Sequence, residues 1–112
     1  MHRDDRCVAF LSIAPTRPGH TLVVPIDEVD HWLDLDPDLA AHLMRVAQRV
    51  GKAQLAAFGV DRVGLLIAGL EVPHTHLHVI PMSSEADLHL DHARSASDAD
   101  LDDAADRLRA AF

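Results

Sequence analysis

The stretch EVPHTHLHVIP, residues 71–81, places His74, His76 and His78 at every second position. Successive side chains on a strand point to opposite faces. The spacing therefore predicts a strand over 73–81 with the three imidazoles on one face, about 7 Å apart. Thr75, Leu77 and Val79 share the opposite face, which is expected to meet the core, while the histidines line the solvent or cleft side. With an ordinary pKa of about 6.5, an imidazole serves as acid, base or nucleophile at neutral pH. One histidine on a polar face is usually a solvated side chain. Three in alternation, between apolar residues and closed by Pro81, point to a site. A metal is one use for them, although each ligating ring needs a partner that orients it, and Glu71 is the only acidic neighbour of the run.

Working outward, DRVGLLIAG (61–69) is almost continuously apolar and predicts a strand buried on both faces. RCVAFLSIA (6–14) and HTLVVPI (20–26) flank PTRPG (15–19), which is turn chemistry, so they are expected to pair antiparallel. DEVDHWLDL (27–35) reads as a short turn or loop. Asp36 then suits an N-cap and Pro37 the first helical position. Leu39, Leu43, Val46, Ala47, Val50 and Ala57 recur at helical spacing, and Gly59 marks the stop. Beyond Pro81 the chain turns acidic and alanine-rich. Leu101, Ala104, Ala105, Leu108 and Phe112 mark a second, short helix capped by Ser97 or Asp98.

At 112 residues one domain, 1–112, is expected. The net charge is -8, and the ten Lys and Arg residues are scattered along the chain. Three Phe, one Trp and no Tyr leave little for base stacking. This composition argues against polymeric nucleic acid but leaves room for a small phosphorylated ligand in a locally positive pocket. Cys7 is the only cysteine, so it forms no internal disulfide and is expected to be a small buried hydrophobe. The start shows no signal-peptide core, and no apolar run reaches membrane length, so a cytoplasmic protein with no membrane partner is expected.

HTHLHVIP resembles the signature of the histidine triad (HIT) family, three alternating histidines among apolar residues. FLSIAPTRPGHTLVVP (10–25) is similar to the family's first hairpin, whose PGH carries an additional active-site histidine, here His20. AGLEVPHTHLHVIP (68–81) is similar to the run leading into the triad. The resemblance covers Cys7 to Met82 and leaves 83–112 as a C-terminal extension with a short helix. It implies an α+β fold: an antiparallel sheet of about five strands with one main helix and a C-terminal helix, assembled as a homodimer through the main helices and a sheet edge. It also implies hydrolysis or transfer of a nucleoside phosphoryl group, with a small nucleotide as substrate and no metal or other cofactor. His76 would be the nucleophile toward the α-phosphate and His78 a donor to its oxygens. His74 and His20 would orient the nucleophile or assist the leaving group's proton transfer. Ser12, Ile13, Leu70 and Glu71 fall where the family contacts sugar and phosphate. Here the chain departs from the pattern. Leu70 stands where the family usually has Gln, Glu71 where Ser or Thr is common, and Ser12 where an acidic residue often holds the ribose. An upstream Asn position falls near Val63.

Overall fold

The computed structural model describes residues 1–70 and 72–112; Glu71, expected beside the phosphate, lies outside the described residues. Strands β1 (His2–Arg3), β2 (Cys7–Leu11) and β3 (Thr21–Pro25) precede helix α1 (Pro37–Phe58). Strands β4 (Arg62–Leu66) and β5 (Leu77–Met82) follow, and helix α2 (Asp98–Ala111) ends the chain. The strands form one antiparallel sheet in the order β1-β2-β3-β5-β4, giving the expected α+β architecture of five strands and two helices.

The β2–β3 hairpin runs in register from Cys7 opposite Pro25 to Leu11 opposite Thr21. Its turn needs Gly19, at φ +92°, because a Cβ there would run into the Phe58 ring. The Asp36 side chain accepts the Asp38 N–H at 2.8 Å and caps α1, and Gly59 closes it in the left-handed region at φ 62°. Cys7, Ala9, Val23, Leu77 and Val79 form the sheet's inner face and pack on Leu39, Leu43, Val46, Ala47 and Val50 of α1. Truncating Leu43 to Ala would cost about 2–5 kcal/mol by opening a cavity in this layer. Helix α2, capped by the Ser97 hydroxyl on Asp100 N–H, packs on α1 and buries Ala104 and Leu108.

Two expectations about strands are corrected. The strand expected over 73–81 begins only at Leu77, and all six of its residues are buried. The strand expected to be buried on both faces, 61–69, is the sheet edge β4, where Leu65 is 41% exposed. Continuous hydrophobicity marks a central strand in a parallel sheet. Here β4 lies on the rim, and β5 takes the doubly covered place. The 3-10 turn Glu85–Leu88 packs over β5 and β4 on the face away from α1. Among the described residues, no helix is long and apolar enough to cross a membrane.

Candidate active site

The β3–β5 ladder pairs Thr21 with Val79 and Leu22 with His78, which sets His20 beside His78. His20 Nδ1 accepts the Thr16 backbone N–H at 3.1 Å, so its proton sits on Nε2. That N–H donates to His78 Nδ1 at 2.9 Å. His78 must then carry its own proton on Nε2, and this buried N–H has no partner among the described residues. A buried donor without an acceptor is costly, and here it is an open position for a ligand oxygen. Both rings are almost fully enclosed, at 2% and 7% exposure. Burial pulls each pKa down to about 4, and for His78 the neighbouring His20 and His76 act in the same direction. Both rings are neutral at neutral pH.

His76 is held differently. Its Nδ1 lies 2.8 Å from the His74 carbonyl oxygen. A carbonyl only accepts, so Nδ1 carries the proton and the lone pair is on Nε2. His74 in turn donates from Nε2 to the Pro25 carbonyl at 2.8 Å. The backbone before β5 is bound outside the ladder: His74 N–H to Val72 O, and Thr75 N–H and Oγ1 both to Val29 O. These bonds divert the chain from strand geometry, which is why β5 starts at Leu77. The His76 and His78 rings meet edge to face with centroids 4.8 Å apart.

His20, His76 and His78 open onto a cleft of about 410 Å³, with Ser12 and Leu70 also on its walls. His74 stands behind the cleft rather than in its wall, and Val63 lies on β4 away from it. Ile13, expected to contact substrate, is 77% exposed and points out of the cleft, which its neighbours Ser12 and Ala14 line instead. Strand β2 ends at Leu11 and the chain bends at Ile13 and Ala14, with Ser12 and Ala14 on the cleft side. Leu70 sits at the rim, 97% exposed. The opposite wall comes from the C-terminal extension through Leu90, Asp91 and Ala93. Ala96 N–H to Ile13 O, Arg94 N–H to Pro15 O and the 3.0 Å Arg17–Asp87 ion pair pin that segment to the hairpin turn.

Sequence reasoning missed one buried residue of this site. Gln54, fully buried on α1, donates from Nε2 to the carbonyls of Gly19 and Val79, each at 2.8 Å. Those residues adjoin His20 and His78, so one helix amide holds the backbone on both sides of the pair. The signal was present: Gln54 follows Val50 by one helical turn and interrupts an apolar stripe with a polar group.

The HIT domain family model matches residues 1–85. An uncharacterized HIT-like protein of Saccharolobus solfataricus is 33% identical over 76% of this chain and 65% of its own length. The asymmetrical bis(5'-nucleosyl)-tetraphosphatase of Schizosaccharomyces pombe is 35% identical over 71% of this chain and 47% of its own length. The adenosine 5'-monophosphoramidase of Saccharomyces cerevisiae is 36% identical over 69% and 49%. The chain thus spans about half to two thirds of the length of these relatives. A solved structure, a Hit-like protein involved in cell-cycle regulation from Bartonella henselae with an unknown ligand, superposes with a TM-score of 0.82. It is 27% identical, and the match covers 99% of this chain and 84% of that one.

Proposed function

Since the chain belongs to the HIT domain family, we propose that it hydrolyses a nucleoside 5'-phosphoryl compound, a phosphoramidate or a dinucleoside polyphosphate, through a covalent bond between phosphorus and His76. One observation carries this reading. The Nδ1–H of His76 is tied to a backbone carbonyl, so its Nε2 lone pair is free beside the N–H of His78, which has no partner among the described residues.

The chemistry follows from those two nitrogens. His76 Nε2 attacks the α-phosphorus, a P–N bond forms, and the bond to the leaving group breaks with its electron pair. The His76 ring becomes cationic, and the His74 carbonyl accepting from Nδ1 stabilises that charge. His78 Nε2–H donates to the phosphoryl oxygen where negative charge grows. Water then attacks phosphorus, the P–N bond breaks, and neutral His76 returns. Over both steps the leaving group gains the water's proton and phosphorus its hydroxyl. His20 and His74 are positioning residues in this scheme: His20 sets the tautomer of His78, and His74 orients His76. Their Nε2 protons are already committed, to His78 and to Pro25 O. His76→Asn stays neutral and polar and removes the nucleophilic ring nitrogen, so turnover of an adenosine phosphoramidate should fall by at least about a thousandfold in a folded protein. Near-normal turnover by that variant would remove the assignment.

A second reading, a nucleotide-binding triad with little turnover, is favoured by Leu70, which puts an aliphatic side chain on the cleft rim where a donor would serve a phosphate. Tight nucleotide binding without turnover by the wild-type chain would select it.

The working unit is proposed to be a two-fold homodimer in the cytoplasm. The α1 stripe from Leu39 to Val50 packs on the sheet within the chain, which leaves the helix's other face for pairing. The free surface is the outer edge of β4 with the exposed Met44, Leu55 and Leu65 beside it. A second copy would cover an open strand edge and apolar surface together. Light scattering should give twice the 12.2 kDa chain mass; a monomer with full activity would overturn the pairing.

A further inference from the structure

A second group of metal-ligating side chains lies away from the triad. His2 on β1, Asp4 in the following turn, and Cys7 at the start of β2 bring one ligand atom each within 4.8 Å of one another. His42 of α1 joins them, its Nε2 2.7 Å from Asp4 Oδ2. The same oxygen lies 2.8 Å from His2 Nε2 and 3.7 Å from Cys7 Sγ. Two imidazoles and a thiol from three elements of the fold thus converge on one carboxylate oxygen.

We propose that His2, Asp4, Cys7 and His42 form a tetrahedral site for a divalent transition metal of the zinc class, bound through Nε2, a carboxylate oxygen, Sγ and Nε2. Ligand identity supports this, since nitrogen, sulfur and carboxylate oxygen are the donors zinc takes. Spacing supports the contacts to the Asp4 oxygen, whereas His42 lies outside the group whose ligand atoms all fall within 4.8 Å of one another, so its ring has to move inward on binding. Ligands at about 2.0–2.3 Å from a tetrahedral zinc lie roughly 3.3–3.8 Å from each other. The sulfur–oxygen pair is already at that distance, and the two nitrogen–oxygen pairs need to open by about half an ångström. The carboxylate is oriented from behind, as ligating carboxylates are: Asp4 Oδ1 accepts the backbone N–H of Arg6 and of Cys7, both at 2.8 Å.

On binding, the Cys7 thiol proton must leave to solvent and the ligating ring nitrogens must be free of protons, so affinity should weaken as pH falls. The metal would clamp β1 and β2 to α1. It would use no triad histidine, although Cys7 lies across the ladder from Pro25, whose carbonyl holds His74.

The test is titration of the chelator-stripped full chain with cobalt(II), then displacement by zinc(II), with folding checked by circular dichroism. One equivalent should bind with tetrahedral d–d bands and a thiolate-to-cobalt charge-transfer band. Cys7→Ser should lose the charge-transfer band. His42→Gln, on the partly exposed side of the cluster, spares the buried Cys7 and should weaken binding at least tenfold, since loss of even an outer-shell partner costs about ten- to a hundredfold. At one and the same zinc(II) concentration, the melting temperature of the wild type should rise more than that of His42→Gln. His76→Asn, and the pair His89→Ala and His92→Ala in the exposed His89–Asp91–His92 group, should bind as the wild type does. No thiolate band at one equivalent, unchanged affinity in folded His42→Gln, or loss of the metal on His76→Asn would each overturn the proposal.

Discussion

At the triad each bonded ring nitrogen meets a backbone carbonyl, a backbone N–H or another imidazole, whereas at the N-terminus His2 and His42 both meet one carboxylate oxygen of Asp4. The same side chain is prepared for different work by that choice of partner. Neutral partners fix which nitrogen holds the proton and stabilise a charged ring far less than a carboxylate would. His76 and His78 therefore present a defined lone pair and a defined N–H to the same cleft. A carboxylate instead rewards positive charge beside it, whether on the ring or on a bound cation. Burial adds to the contrast: His20 and His78 are almost fully enclosed, while His2, His42 and Asp4 keep 16%, 24% and 25% side-chain exposure.

The sharpest way to break this contrast is His78→Phe, which keeps a ring in the β5 slot and deletes both nitrogens. Loss of the phosphoryl donor should lower kcat by about two to three orders of magnitude. The variant also leaves the His20 Nε2–H buried without an acceptor, worth about 1–3 kcal/mol of stability. Steady-state kinetics with urea unfolding checks both, and a kcat within tenfold of wild type would mean that His78 does not face the phosphoryl oxygens.

Next in size is pH. The folded pKa values of His20 and His78 lie near 4, below the ordinary 6.5. Between those values the unfolded chain binds protons that the folded one does not, so stability is full above about 6.5 and drains as pH falls toward about 4, by a few kcal/mol in all. Asp4 is shifted down as well, but from a carboxylate's starting value, so its contribution is lost only at more acid pH. Denaturant unfolding from pH 7 to 4 should show the triad's loss, and His78→Phe should flatten it. An unchanged slope in that variant would separate the pH dependence from the pair.

Gln54→Met tests the backbone clamp. It removes the amide donor shared by the Gly19 and Val79 carbonyls and should cost about 1–3 kcal/mol. Activity should fall more than KM changes, because the pair shifts while the cleft stays. The smallest effect is expected from Leu70→Gln at the rim. A new donor to phosphate should raise kcat/KM by about tenfold at most, the worth of one added hydrogen bond. A decrease would mean that the substrate passes this rim in another pose.

Local chemistry made some of this legible in advance. Helix α1 could be read from Asp36, Pro37, the apolar stripe and Gly59, and α2 from Ser97 and its own stripe, because caps and periodicity act within a few residues. The triad was legible for the same reason: its alternation is local. Strand β1 was not, since two residues carry no period. The edge place of β4 was not either, because which strand borders solvent depends on the order β3-β5-β4, a long-range property. In the site, the tautomers rest on partners such as Thr16 N–H, and the far wall comes from a segment that reads as acidic loop. The outward place of Ile13 rests on the bend at residues 13 and 14, which no local pattern announces.

The central claim is that the His76 Nε2 forms a bond to phosphorus. The direct measurement is to mix the wild-type chain with a labelled adenosine phosphoramidate, quench in alkali, where a phosphorus–nitrogen bond to histidine survives, and map the labelled peptide. The account predicts label on the peptide carrying His76, appearing within the first turnover and absent from His76→Asn. Steady turnover with no label on that peptide, or label that persists in His76→Asn, would contradict it.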